Sequence, residues 1–352
     1  MDVALATHPH HIEHLAPLCE MMGAPLVVAD TVGAEIAERL YPGLRVMVDR
    51  ARPPRCLRDG GTIYYSHLLS RERLRLRFNS PSPPRVVHCP HGVSEKQQEW
   101  SATSALQDVT LVNGKLAYDQ FAAWGVQDLL TTCLEIGNLR LDYYRRHQSF
   151  FDAIAAETLS DEPAPCTILY APTWADSIGS SSFASIIETL LRRLPSTWRL
   201  IAKLHPLLER QHAEVAAAEA LVRPGQRVTF LRNHPLTWPW LTLADVYVGD
   251  MSSLAYDFLL FDKPMVLLNQ WPGTPADARQ SRLFQCGLVV DPVDYHSIFD
   301  RIDQSLQMDP GSFSNARRAL YAYAYAQDVG WDQVRARLHA ACDGPAPAWM
   351  AG

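Results

Sequence analysis

The chain has 352 residues, 47% of them apolar and 20% charged, with a formal net charge of −6; this is the composition of a globular protein with room for two ordinary domains. The negative balance excludes nucleic acid as a main partner, because no overall excess of cations is there to meet phosphates. No run of eighteen apolar residues occurs, which excludes a spanning helix, and the start MDVALATHPHH lacks the basic region and long apolar core of a secretory signal.

In chain order, short apolar strands alternate with amphipathic helices. The first half predicts strands at 3–7, 25–29, 45–48, 62–65, 85–88, 109–112 and 132–136, and helices at 12–22, 32–40, 115–124 and 139–156. Strands that read as near-continuous Val, Ile and Leu suit a parallel sheet covered on both faces. The polar stretch 159–165, with two prolines in three residues, predicts a linker. Beyond it the alternation restarts: strands at 167–170, 199–203, 227–231, 245–248 and 265–268, with helices at 182–194, 207–221 and 253–261. Two helical patterns, 294–307 and 313–341, follow. The fold class expected is α/β, two doubly wound Rossmann-like domains facing a cleft. Such sheets bind ligands outside the carboxyl ends of their strands.

Four strand ends carry unusual chemistry. ADVYVGDMSSLAYDF puts Ser252 and Ser253 where a helix begins, and helix starts offer unpaired N–H groups and partial positive charge to an anion. Asp257 follows about one turn later on the same face. Taken alone, an N-capping serine with a surface aspartate explains the same letters. His91 and Gly92 end the strand 85–88 through a turn that leaves an imidazole uncovered. An imidazole moves protons near neutral pH, although a core histidine bonded to a carbonyl is the alternative, and the reading preferred for His88. Thr173 and Trp174 leave the strand 167–170 through a proline. Lys203 and His205, two apart at a strand end, share a side and combine charge with a proton donor. The seven cysteines are scattered with no CxxC spacing, which favours reduced thiols over disulfides or zinc, and Cys89 reads as core filler. His10 and His14 have the i, i+4 spacing of a metal pair, but the segment reads better as the loop after the first strand, with His11 near any acceptor.

The pieces HG, IGNLRLDYY, YAPTW, KLHP and DMSSLAYDF…DKP, between residues 85 and 270, resemble the CDP-glycerol glycerophosphotransferases of bacterial wall and capsule polymer synthesis. The resemblance implies a GT-B architecture. It implies residues 1–158 as an N-terminal acceptor-side domain and 166–352 as a C-terminal nucleotide-donor-binding domain, the last helix packing back on the first. It also implies His91 as general base on an acceptor hydroxyl and His205 near the donor pyrophosphate. Ser252 and Ser253 would hold that pyrophosphate, Asp257 a donor hydroxyl, and Lys203 and Thr173 further phosphate contacts. Gly92, Ser94, Lys96 and His11 would face the acceptor, a glycan or polyol phosphate. The donor would be CDP-linked, with no cofactor or metal required.

Two departures stand out. The family's WHGTPxK is PHGVSEK here, and its tyrosine before the double serine is Met251. Other readings of the same architecture are an inverting glycosyltransferase using a nucleotide sugar, a nucleotide-sugar 2-epimerase, which lacks its carboxylate partners here, and a non-catalytic binding protein. A cytoplasmic protein is expected; the cationic stretch 71–77 could touch anionic lipid, but a solvated helix face is the preferred reading.

Overall fold

The computed structural model describes residues 1–50, 61–66, 84–95, 107–159, 163–174, 181–209, 212–270, 281–308 and 311–343. The stretch 71–77, most of the Pro/Arg-rich stretch 50–58, and Lys96 lie outside them. The chain divides into two compact units: residues 1–93, 97–154 and 322–352 form the first, and residues 94–96 and 155–321 the second.

The first unit, among its described residues, is a seven-stranded parallel sheet. Its strands are β1 (Val3–Ala6), β2 (Leu26–Val28), β3 (Val46–Val48), β4 (Thr62–Tyr65), β5 (Arg85–His88), β6 (Val109–Val112) and β7 (Cys133–Glu135), in the order β3-β2-β1-β4-β5-β6-β7. The order reverses between β1 and β4, so these two adjacent strands flank the switch point. β4 and β6 are buried along their whole length, as expected of strands covered on both faces.

Helix ends here follow local chemistry. Asp30 accepts the Gly33 N–H at 2.8 Å to start the helix Thr31–Leu40, and Gly23, at φ 64°, stops Ile12–Met22 in the left-handed conformation glycine favours. The expected helix 139–156 is two, Leu139–Arg146 and Gln148–Leu159. His147 leaves helical geometry, and its Nε2 meets the Glu20 carboxylate on the helix Ile12–Met22.

The C-terminal segment returns to this unit. Ala326 donates its N–H to the Asn113 carbonyl at 2.8 Å. A Cβ at Gly114 or Gly137 would come within 2.8 Å or 2.7 Å of Ala326 backbone atoms, so only glycine permits that approach. The helix expected at 313–341 is broken accordingly into Gly311–Ala324 and Trp331–Asp343.

The second unit is a six-stranded parallel sheet: β8 (Thr167–Ala171), β9 (Arg199–Lys203), β10 (Arg227–Leu231), β11 (Val246–Gly249), β12 (Met265–Leu268) and β13 (Leu288–Val290), ordered β10-β9-β8-β11-β12-β13. Its switch point lies between β8 and β11, where Gly249 pairs with Ala171. The helix Phe183–Arg193 buries Phe183, Ile186, Ile187, Leu190 and Leu191, the i, i+3, i+4, i+7, i+8 stripe. Each such side chain contributes about 1.5–3 kcal/mol, so Leu190→Ala alone would cost about 2–5 kcal/mol. The strand β13 and the helix Trp238–Leu243 were not foreseen.

Candidate functional site

Three neighbouring strands of the second unit end in the residues singled out from the sequence. After β8 come Pro172, Thr173 and Trp174; Thr173 is buried and Trp174 exposed. β9 ends at Lys203, which is buried and donates to the His234 carbonyl at 2.7 Å. Two residues on, the half-buried His205 packs its ring 6.4 Å from that of Trp174. Its Nδ1 accepts the Leu207 N–H at 3.2 Å, so in the neutral ring the proton sits on Nε2. A parallel sheet sends all these ends the same way, to the edge where α/β proteins take ligands.

The turn after β11 is organised by a residue sequence reasoning passed over. Asp250 is buried, and its Oδ2 accepts N–H groups from Thr173 at 2.8 Å and Ser182 at 3.1 Å. One carboxylate thus ties the chain leaving β8 to the chain leaving β11, across the switch point. Ser252 occupies the N-cap position of the helix Ser253–Phe258 with extended backbone, but its side chain makes no capping bond. Its Oγ lies 3.1 Å from the Tyr247 hydroxyl instead. Burial raises the Tyr247 phenol, so it stays protonated. The family's tyrosine is absent at Met251, yet a tyrosine hydroxyl from within β11 reaches the first serine of the pair, Ser252. Ser253 is half-buried, and Asp257 is fully buried rather than exposed on the helix surface.

The first unit gathers imidazoles at its own switch point. His8, His10 and His11 follow β1, with His10 and His11 ring centroids 4.3 Å apart and those of His8 and His10 5.6 Å apart. His11 is buried, its Nδ1 3.2 Å from Thr7 Oγ1. His91, past the end of β5, is exposed, and its ring stands edge-on to that of His14 at 6.3 Å. Gly92 takes φ 133°, a conformation side chains avoid. Burial, then the charges of Arg140 and of His91, hold His14 well below the ordinary histidine range. Arg140 itself is buried against Glu13 at 3.8 Å. The motif IGNLRLDYY therefore has structural uses: Gly137 admits the C-terminal segment, Asn138 caps its helix through the Leu141 N–H, and Arg140 forms the ion pair.

Cys89 is core. Its thiol donates to the His14 carbonyl at 3.4 Å, and burial pushes it up to about 12. Among the described residues no three His, Cys, Asp or Glu side chains group as metal ligands.

Ser94 and Glu95 belong to the second unit. Ser94 is buried, while the Glu95 carboxylate is bonded by Tyr256, Ser281 and the backbone of Leu283. Sequence reasoning missed Glu95, Tyr247 and Asp250; for Asp250 its place in the turn GDMSS was the available signal.

Two doubly wound parallel α/β units, each with polar side chains gathered at its switch point, make a GT-B-like α/β fold. Residues 92–270, just over half of the chain, match the family described as CDP-glycerol:poly(glycerophosphate) glycerophosphotransferase. The chain belongs to that family. Among solved structures it resembles the wall teichoic acid polymerase TagF, with a TM-score of 0.63 at 12% identity, over 97% of this chain and 89% of that one. It also resembles S. aureus MnaA in a structure with UDP (TM-score 0.60, 11% identity, 96% and 95% covered). A glycosyltransferase from Rickettsia africae is similar too (TM-score 0.53, 10% identity, 97% of both chains). These likenesses show the fold. No curated protein matches the sequence. No helix among the described residues is long and apolar enough to cross a membrane.

Proposed function

We propose that this protein moves a glycerol-phosphate unit from CDP-glycerol to a hydroxyl of a polyol-phosphate or glycan acceptor in bacterial surface polymer synthesis. The observation that carries the reading is where the family match falls. It takes in β8, β9, β11 and the ends that hold Thr173, Lys203, His205, Ser252 and Ser253. TagF supports the choice of donor, since a variant of it was soaked with CDPG.

In this reading the second unit binds the donor diphosphate at the strand ends beside the switch point, with Ser252 and Ser253 at the turn after β11. The acceptor oxygen forms a bond to the phosphorus bearing glycerol as the phosphoanhydride bond to CMP breaks. His91, exposed on the first unit, takes the acceptor proton. The Nε2–H of His205 donates to the phosphate of the departing CMP, and Lys203 adds positive charge. Positioning and electrostatics of this kind supply most of phosphoryl-transfer catalysis. Asp257, Gly92, Ser94, Lys96 and His11 keep supporting roles, the last four toward the acceptor. The six described cysteines are free thiols, which supports a reducing, cytoplasmic place of work, at the inner membrane face if the acceptor is lipid-borne.

Thermal-shift measurements with CDP, CMP, UDP, GDP and ADP test the donor assignment. Stabilisation by CDP above the others is the expected result; a shift with UDP and none with CDP would defeat it.

A further inference from the structure

The chain leaves β5 through His91 and Gly92, passes out of the first unit after Val93, and enters the second at residues 94–96. There one side chain is held by four donors. Glu95 Oε2 accepts the Tyr256 O–H at 2.9 Å, the Ser281 O–H at 2.7 Å and the Leu283 N–H at 3.2 Å, and Oε1 accepts the Arg282 N–H at 3.3 Å. In return the Glu95 N–H donates to the Tyr256 hydroxyl at 3.1 Å.

Leu283 opens the 3-10 helix Leu283–Gln285, so the carboxylate also serves that helix start. Tyr256 is buried on the helix Ser253–Phe258, between Ser253 and Asp257 in the sequence. Burial and the adjacent Glu95 charge keep its phenol protonated and hence a donor. Hydrogen bonds to an ionised acceptor are the strong ones, and this one accepts four. A surface glutamate needs no such set, and Glu95 stands at the unspecified position of the WHGTPxK pattern.

We propose that Glu95 is a positioning residue: an anchor that fixes, on the donor-binding unit, the chain carrying the proposed base His91. Only Gly92, Val93 and Ser94 separate the two. With the anchor made, His91 works on a three-residue tether from the second unit. Without it the tether lengthens, and the effective concentration of the imidazole falls with no loss of donor contacts. The inference rests on the function proposed above.

The test compares Glu95→Ala, Glu95→Gln and Ser281→Ala with wild type in CMP release from CDP-glycerol, CDP affinity by calorimetry, and amide hydrogen exchange across residues 91–95. Glu95→Ala is expected to lower kcat about 10- to 100-fold, with CDP affinity within twofold and faster exchange at 91–95. Glu95→Gln keeps an acceptor oxygen and should recover part of the rate. Ser281→Ala, which removes one donor and leaves the loop's own sequence intact, should fall between. A kcat within twofold of wild type in Glu95→Ala, or CDP affinity falling in step with kcat, overturns the proposal. If wild type releases no CMP, the functional reading fails by itself. Hydrogen exchange then decides the anchor: faster exchange in Glu95→Ala upholds it, and unchanged exchange removes it.

Discussion

Asp250→Ala should loosen the donor side of the molecule more than any exchange of a residue meant to touch substrate. Its buried Oδ2 takes two backbone N–H groups, from Thr173 and Ser182. Around them lies a small network: Ser181 Oγ donates to the Thr173 carbonyl at 2.8 Å, and Ser182 Oγ lies 2.9 Å from the Tyr170 hydroxyl. A hydrogen bond to a charged acceptor is worth about 1.5–3 kcal/mol, and a buried N–H left unpaired costs about the same again. Part of this relaxes, so a loss of about 3 kcal/mol is a fair working value. For a unit of this size that lowers the melting temperature by about 6–12 °C. Asp250→Asn keeps an oxygen in place and gives up only the charge, so it should lose about a third as much. Calorimetric unfolding orders the three proteins, and CDP titration should show weakened affinity in Asp250→Ala because Thr173 is no longer held. Asp250→Ala melting within about 2 °C of wild type, with undiminished CDP binding, would refute the reasoning.

Gly249→Ala places a Cβ 2.6 Å from the Ala171 carbonyl and 2.8 Å from the Tyr247 hydroxyl. Overpacking of that kind costs about 1–3 kcal/mol, so both melting temperature and CDP affinity should drop. His91→Ala and His205→Ala should each reduce CMP release about 10²–10⁴-fold with circular dichroism unchanged; activity within tenfold of wild type would remove that residue from the mechanism. Burial, before any charge, holds His14 well below the ordinary histidine value of 6.5. Above pH 6.5 it is neutral in folded and unfolded chains alike, and its stability contribution is complete. As pH falls below 6.5 the unfolded chain takes up a proton that the folded one refuses, so stability declines. Denaturant unfolding between pH 7.5 and 5 should show this slope, shallower in His14→Gln; equal slopes would contradict the burial argument.

Much of the fold was legible because most of its strands are buried on both faces. β4, β5, β6, β9 and β12 begin and end where the sequence pattern put them, and so does the half-buried edge strand β10. Short or unpatterned elements escaped: β13 is only three residues long and follows Gly287, and Trp238–Leu243 is apolar at every position but Thr242, so no period marks it. The break at His147 depends on Glu20, 127 residues away, and no local pattern announces it. The candidate site divides the same way. Polar residues directly after strands, such as His91 and Ser252, were visible because position in the alternation says where they stand. Asp250 and Glu95 were not, since their meaning lies in partners 77 and 161 residues distant. The alternative reading of a capping Ser252 with a surface Asp257 does not match the packing: Asp257 is buried, and Ser252 turns to Tyr247.

CMP release from CDP-glycerol by the purified protein, with a polyol-phosphate acceptor, tests the central claim most directly. Acceptor-dependent CMP formation, with glycerol phosphate recovered on the acceptor, is the result predicted here. Absence of CMP alongside nucleoside-diphosphate release from a nucleotide sugar would contradict it.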